Sequence, residues 1–338
     1  MKIRKVQFVN SAGTAWPWYR QFPNDDGIWE GTQYALDKSM EKEPDWLVVY
    51  EGWPVGDFLT CVPKERRIFI MGEPESFHRY QPRFLDQFGH VITTQRVVRH
   101  PGVILSQVAI NWFVGVRFNG QYGPHTAALR FTDFAAGNPP KTKLCSVVCS
   151  TKAVTPGHRR RLEFVKRLKS ELGDKVDIFG RGFRDIDDKD VALADYRFHI
   201  SLENSVHPDY WTEKLADPFL RGCFPIYSGC QNVADYFPTG SYVKINLNRP
   251  GAAIVRIKEV LGGHLDRENS LVLAEAKRRV LWEYNVFALL QRVYCKLEQF
   301  ERPELKGGIE TKLISDSEAK NMLFRRRFVK KLRQFVCR

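Results

Sequence analysis

The chain has 338 residues, 43% of them apolar and 27% charged, and carries a formal net charge of +13. That length accommodates two domains of ordinary size, and the composition is that of a globular protein rather than a disordered or fibrous one. No apolar run reaches the roughly 18 residues of a membrane span, and the N-terminus lacks the apolar core of a signal peptide.

Apolar runs near Val6–Val9, Trp46–Tyr50, Ile68–Met71 and Val91–Thr94 predict strands. The longer stretches between them predict an α/β unit with a parallel sheet. Gly137-Asn138-Pro139-Pro140 breaks the pattern and reads as a linker. Leu144–Val148 then opens a second unit. Thr155-Pro156 starts a helix, with proline at its first position, and Leu162, Val165, Leu168 and Leu172 give that helix one apolar face. Val176–Phe179 predicts the next strand. From Tyr196, the residues Phe198, Ile200 and Leu202 alternate with polar neighbours, as in a strand with one buried face. Thr212 is placed to cap a helix whose first turn holds Glu213 and Lys214. Pro218 removes the bond to the Lys214 carbonyl and is expected to kink or end that helix, at about 3 kcal/mol in a regular interior. A single helical stretch is predicted from Leu271 to Leu297.

Seven cysteines, an odd number without framework spacing, fit free thiols in a reducing compartment. Cys145 and Cys149 lie on one side of a predicted strand, where small buried residues are the simpler account than a zinc site. Basic charge collects at the C-terminus. Between Ser315 and Arg338 there are eight Lys or Arg and two acids, a net +6. Phe324, Phe328, Leu332, Phe335 and Val336 recur there at helical spacing, which predicts an amphipathic helix on an anionic membrane surface. A helix packed on its own domain is the alternative. A nucleic-acid partner is disfavoured, because no finger, RNA-recognition or helix-turn-helix signature accompanies the charge.

The segment Tyr196–Gly229 carries the most chemical information. A helix start offers free backbone N–H groups and a partial positive charge, which suits a phosphate, and Lys214 adds a full charge there. Strand, polar loop and cationic helix start together describe the carboxyl edge of an α/β sheet, where nucleotides bind.

Three groups in this segment, Glu203-Asn204-Ser205, Tyr210-Trp211-Thr212-Glu213-Lys214 and Phe224-Pro225-Ile226-Tyr227 with Gly229, follow one another in a fixed order. That order resembles the signature of the α1,3/4-fucosyltransferases, glycosyltransferase family ten. Lys141-Thr142-Lys143-Leu144 resembles the strand that opens the family's donor domain, and Arg67–Ser76 resembles its N-domain strand ending in Gly-Glu. Clear resemblance covers residues 141–246. Pro218, Trp211 and Leu202 depart from the pattern. The resemblance implies a GT-B-like α/β fold, with two Rossmann-like domains facing a central cleft. Residues 1–139 would be the acceptor-binding domain, 140–310 the domain for a GDP-sugar, and 311–338 the basic tail. It also implies a bacterial-type cytoplasmic enzyme, peripheral on the inner membrane face.

The reaction so implied moves L-fucose from GDP-fucose to a hydroxyl of an oligosaccharide or glycolipid acceptor with inversion, without a metal or other cofactor, in cell-envelope glycan synthesis. Cations and backbone dipoles must then stabilise the departing diphosphate. A carboxylate must take the acceptor proton, typically for a factor of about 10²–10⁴ in rate. Lys214 and Arg161 are the implied diphosphate cations, with Arg159 and Arg160 as neighbours in an uncertain register. Glu213 is the implied contact to the donor's ribose or sugar, and Asn204 and Tyr210 are further implied donor contacts. Glu73 is the implied base, projecting after Gly72, where the chain is expected to turn sharply; Glu75 is its rival.

Other motifs weigh less. Asp185-Ile186-Asp187-Asp188 resembles a divalent-ion motif of other glycosyltransferases but reads better as a solvated loop. Gly180-Arg181-Gly182 lacks the rest of a dinucleotide fingerprint. Trp16, Trp18, Tyr19 and Trp29 could stack on acceptor sugars, although aromatics are more often core. A transferase for another nucleotide sugar, and a non-catalytic basic membrane- or nucleic-acid-binding protein, are the rival functions.

Overall fold

The computed structural model describes residues 3–36, 44–53, 58–119, 124–299 and 309–323. The chain forms two compact units, residues 1–14, 31–105 and 300–338 in the first and residues 15–30 and 106–299 in the second.

The first unit is built on the strands β1 (Arg4–Asn10), β2 (Thr32–Leu36), β3 (Trp46–Tyr50), β4 (Arg67–Ile70), β5 (His90–Thr93) and β6 (Val103–Leu105). They lie in the order β2-β1-β3-β4-β5-β6, and every neighbouring pair is parallel. Both β3 and β4 are buried along their whole length. That explains why they read as continuous apolar runs rather than as an alternation. Leu47, Val49, Phe69 and Val91 pack with Phe84 and Phe88 on one face.

Thr311–Leu313 pairs antiparallel with Phe58–Thr60, residues 316–323 are helical, and Leu313 and Ala319 are buried in the same core. The expected tail therefore begins later than residue 311. Its amphipathic part, from Phe324 onward, lies outside the described residues.

The second unit carries β7 (Lys143–Val148), β8 (Asp177–Phe179), β9 (Tyr196–Leu202), β10 (Phe224–Ser228) and β11 (Val243–Lys244), all parallel in the order β8-β7-β9-β10-β11. Its helices include α1 (Pro156–Leu172), α2 (Glu213–Leu220), α3 (Pro250–Gly262), α4 (Ser270–Trp282) and α5 (Val286–Glu298). Thr155 caps α1 by accepting from His158 N at 3.2 Å. Val165, Leu168 and Leu172 are buried as the spacing predicts, while Leu162 is half-buried. The two parallel-sheet α/β units that the GT-B reading calls for are thus both present.

Three expectations need correction. The boundary between units does not fall at Gly137–Pro140, because residues 106–139 belong to the second unit. Buried Arg20 donates to the carbonyls of Trp112 and Leu129, each at 2.7 Å, and Lys277 Nζ donates to Gly137 O at 2.8 Å and Asn138 Oδ1 at 2.7 Å. These bonds tie the supposed linker and the segment before it to that unit. The stretch from Leu271 to Leu297 is two helices, because the Asn285 side chain caps α5 by accepting from Phe287 N at 3.1 Å. Finally, Trp16, Trp18 and Trp29 are buried in the second unit, so they are core and offer no stacking face; Tyr19 stays exposed.

Candidate functional site

In each unit the strand order reverses once, between β1 and β3 in the first and between β7 and β9 in the second. The connections leave such a point in opposite directions, which opens a crevice at the carboxyl ends of the strands. Each unit has a cavity there.

The cavity of the second unit, about 250 Å³, is lined at the carboxyl ends of β7 and β9 by Val148, Cys149, Ser201 and Leu202. Arg161, Lys189, Glu213 and Lys214 are among the charged residues that line it, with Arg181, Asp187 and Asp217. Arg161 is only 7% exposed. Its Nη1 reaches the Leu202 carbonyl at a long 3.4 Å, and its Nε has no hydrogen-bond partner. A buried guanidinium so poorly satisfied is primed for an anion, since an unmet buried donor costs about 1–3 kcal/mol. Arg159 and Arg160 are exposed, and Arg159 turns back to the carbonyls of Ala153 and Val154. Among the three arginines, Arg161 is the one that lines the cavity. His158 sits lower than an ordinary histidine in pKa, through burial and then the charges of Arg161, Lys152 and Lys214.

Two close approaches set this edge. An added Cβ on Gly157, in the first turn of α1, would fall on the Asn204 carbonyl oxygen. Glu203 is fully buried and accepts from Thr212 N at 2.8 Å and from Thr212 Oγ1 at 3.0 and 2.9 Å. Thr212 in turn accepts from Lys214 N at 3.3 Å, so the Glu203 carboxylate anchors the start of α2 to the end of β9. Pro218 lies inside α2, which stops two residues later.

Lys214 does not stand as an isolated cation. Its ammonium donates to Glu213 Oε1 at 3.1 Å and lies 3.7 Å from Glu203 Oε2. Lys189, which the sequence reading passed over, donates to Glu213 Oε1 and Asp217 Oδ2, each at 3.1 Å. These two ammoniums hold Glu213 well below the usual carboxylate range despite its burial. Asp217 goes the other way, pushed up to about 6 by burial, with Lys189 opposing. Glu213, Lys214 and Arg161 therefore meet at one cavity.

Asn204 and Tyr210 do not line it. Tyr210 is buried, and its hydroxyl donates to Asn204 Oδ1 at 3.1 Å, so this pair braces the loop between β9 and α2. Asp188 accepts from the backbone N–H of Gly115 and of Asp190, each at 2.8 Å, which gives it a structural partner set rather than a solvated one.

The cavity of the first unit, about 510 Å³, contains Ser11 beyond β1, Glu51 beyond β3 and Glu73 beyond β4, with Trp53, Phe77 and Tyr80 as aromatic walls. Glu73 thus does lie at a sheet edge. Glu75 is ion-paired with Arg79, four residues on, and is absent from the lining, which separates the two rival carboxylates. Gly72 makes a close approach rather than a turn. An added Cβ would strike Glu51 Oε1 and lie 3.2 Å from the Tyr50 hydroxyl.

Glu51 escaped the sequence reading altogether. It has φ +61, a left-handed conformation uncommon outside glycine, and such strain collects at functional sites. Burial and then the charge of Glu73 raise its pKa to about 7. Only the tertiary packing of Gly72 against Glu51 could have revealed it.

A doubly wound α/β unit with buried cations at its switch point is the kind of unit that binds a phosphorylated nucleotide. Residues 138–256 match the family model "Glycosyltransferase family 10 (fucosyltransferase) C-term". The chain is similar to 4-galactosyl-N-acetylglucosaminide 3-alpha-L-fucosyltransferase 9 of Mus musculus and of Homo sapiens, 32% identical over 143 residues in each case. Those matches span 40% of this chain and 37% of the relatives. A crystal structure of alpha1,3-fucosyltransferase with GDP is also similar, at 17% identity and a TM-score of 0.48, covering 88% of this chain and 92% of that one.

Proposed function

We propose that the protein is a GDP-fucose-dependent fucosyltransferase that glycosylates a hydroxyl of a glycan acceptor with inversion. Support comes above all from Arg161, a buried and under-satisfied guanidinium that shares the switch-point cavity with Lys214 and Glu213 inside the family-matched segment. The cavity of the second unit would take the nucleotide, its diphosphate on Arg161 and Lys214. The diphosphate would compete with Glu213 and Glu203 for the Lys214 ammonium, so binding would redistribute those contacts. Glu73 would act as the base. The acceptor O–H proton passes to Glu73 and the acceptor oxygen bonds to the anomeric carbon. The bond from that carbon to the phosphate oxygen breaks, and its electron pair leaves with GDP. Attack opposite the leaving group inverts the centre.

Among the described residues no helix is long and apolar enough to cross a membrane. The sequence of the basic tail supports a place on an anionic membrane surface, beside a cell-envelope acceptor.

The test compares nucleotide release from GDP-fucose, GDP-mannose and UDP-sugars with a panel of soluble acceptors. GDP-fucose should be used best, and a UDP-sugar preference would overturn the donor assignment. Glu73→Gln should abolish transfer while GDP still binds; unchanged transfer would remove Glu73 from the reaction. Arg161→Ala should weaken GDP binding about 10- to 100-fold, the range for lost charged hydrogen bonds.

A further inference from the structure

His199 is a titratable side chain in the cavity of the second unit that the reaction as drawn does not use. It lies on β9, opposite Ser146 on the neighbouring β7, and is 5% exposed. Its Nδ1 is 2.8 Å from Ser146 Oγ, and Ser146 Oγ is 2.5 Å from the Ala192 carbonyl.

That chain fixes the proton positions. A carbonyl oxygen can only accept, so the single hydroxyl proton of Ser146 goes to Ala192 O. Ser146 Oγ then meets the ring as an acceptor, and Nδ1 must carry the ring's proton. Nε2 is left with a bare lone pair. Among the described residues Nε2 has no hydrogen-bond partner, and the ring lines the cavity. Burial and then the Lys189 charge push the ring down to about 3, so it stays neutral at physiological pH. A ring that merely filled space would not need its tautomer dictated by a buried serine.

We infer that His199 is a specificity residue for the nucleotide sugar, its Nε2 accepting a hydrogen bond from a hydroxyl of the ligand. In the same cavity Lys189 is paired with Glu213 and Asp217, and Lys214 with Glu213, and beside these charges the His199 lone pair is a neutral acceptor suited to a sugar hydroxyl. The hydroxyl could belong to the ribose or to the transferred hexose. Ser146 is a positioning residue that holds the tautomer. This inference rests on the proposal that the cavity binds a nucleotide sugar.

The experiment measures binding of GDP, 2′-deoxy-GDP, 3′-deoxy-GDP and GDP-fucose by calorimetry to the wild type, His199→Phe and His199→Gln. His199→Phe should bind GDP-fucose about 5- to 30-fold more weakly, the range for one hydrogen bond to a buried acceptor, and His199→Gln should recover part of the loss. A loss shared by GDP but absent with one deoxy analogue identifies a ribose hydroxyl; a loss confined to GDP-fucose identifies the hexose. Equal GDP-fucose affinity in wild type and His199→Phe overturns the inference while leaving the proposed function standing. A wild type that binds none of these ligands overturns the function itself. Should His199→Phe fail to fold, nitrogen-15 NMR of the wild-type ring decides. An unprotonated Nε2 that shifts on adding GDP-fucose is expected, whereas a protonated Nε2, or one unmoved by saturating ligand, refutes it.

Discussion

The carboxylate of Glu51 occupies the space that a side chain at position 72 would fill. The base candidate Glu73 is therefore adjacent to a glycine that exists for its neighbour. Gly72→Ala must displace either Glu51 or the strand end that bears Glu73. Overpacking of this kind typically costs about 1–3 kcal/mol. We expect Gly72→Ala to lower the urea midpoint accordingly and to cut turnover at least tenfold, with GDP affinity unchanged; wild-type turnover would show that the Glu51 position is immaterial.

Glu51 makes stability depend on pH in a defined direction. Its folded pKa, about 7, is above the unfolded value, so between about pH 4.5 and 7 the folded state holds the extra proton. The contribution is favourable at low pH and is lost as pH rises through 7. Glu51→Gln should remove this dependence and gain on the order of 2 kcal/mol relative to wild type at pH 8, discounted for partial solvent access, with little gain at pH 5. Urea unfolding at the two pH values reads the difference; an equal effect at both would show that Glu51 does not titrate in this window.

Lys189 ties Glu213 to Asp217 beneath the cavity of the second unit. Removing one member of a buried charge set leaves its partners uncompensated, typically at about 3–5 kcal/mol. Lys189→Met should destabilise by that order. Adding Asp217→Asn should restore a substantial part, because it removes one of the two stranded carboxylates. Additive losses in the double variant would argue that the three groups are not coupled.

Glu203 takes both donors of Thr212, the N–H at Oε1 and the single hydroxyl proton within reach of both its oxygens. Glu203→Ala leaves the Thr212 N–H and hydroxyl unsatisfied in a buried site, for about 2–4 kcal/mol of stability. Because Thr212 starts α2, the same change should weaken GDP binding through Lys214. If stability falls but GDP affinity does not, the helix start is irrelevant to the nucleotide.

Much of both units was legible in the linear chain. Continuous apolar runs marked β3, β4 and β7, because strands buried on both faces in a parallel sheet have no polar side to show. Thr155-Pro156 and Thr212 marked the starts of α1 and α2 through local capping chemistry, which needs no tertiary partner. The short strand Thr311–Leu313 left no such mark. Nor did the break at Asn285, whose cap looks from the sequence like one more polar residue in a helical stretch.

What the order of residues determined by itself was the identity of groups bound to their neighbours: Glu203, Thr212, Glu213 and Lys214 lie within one turn and one loop, and their types and spacing express the chemistry directly. What only the tertiary structure decided was every relation that crosses the sheet. It brought Arg161 from α1 to the ends of β7 and β9, Lys189 to Glu213 and Asp217, Ser146 to His199, and Gly72 to Glu51. Such pairs are distant along the chain, so nothing in local propensity encodes them. They arise because parallel strands set far-apart residues side by side and because burial removes the water that would otherwise satisfy each charge alone.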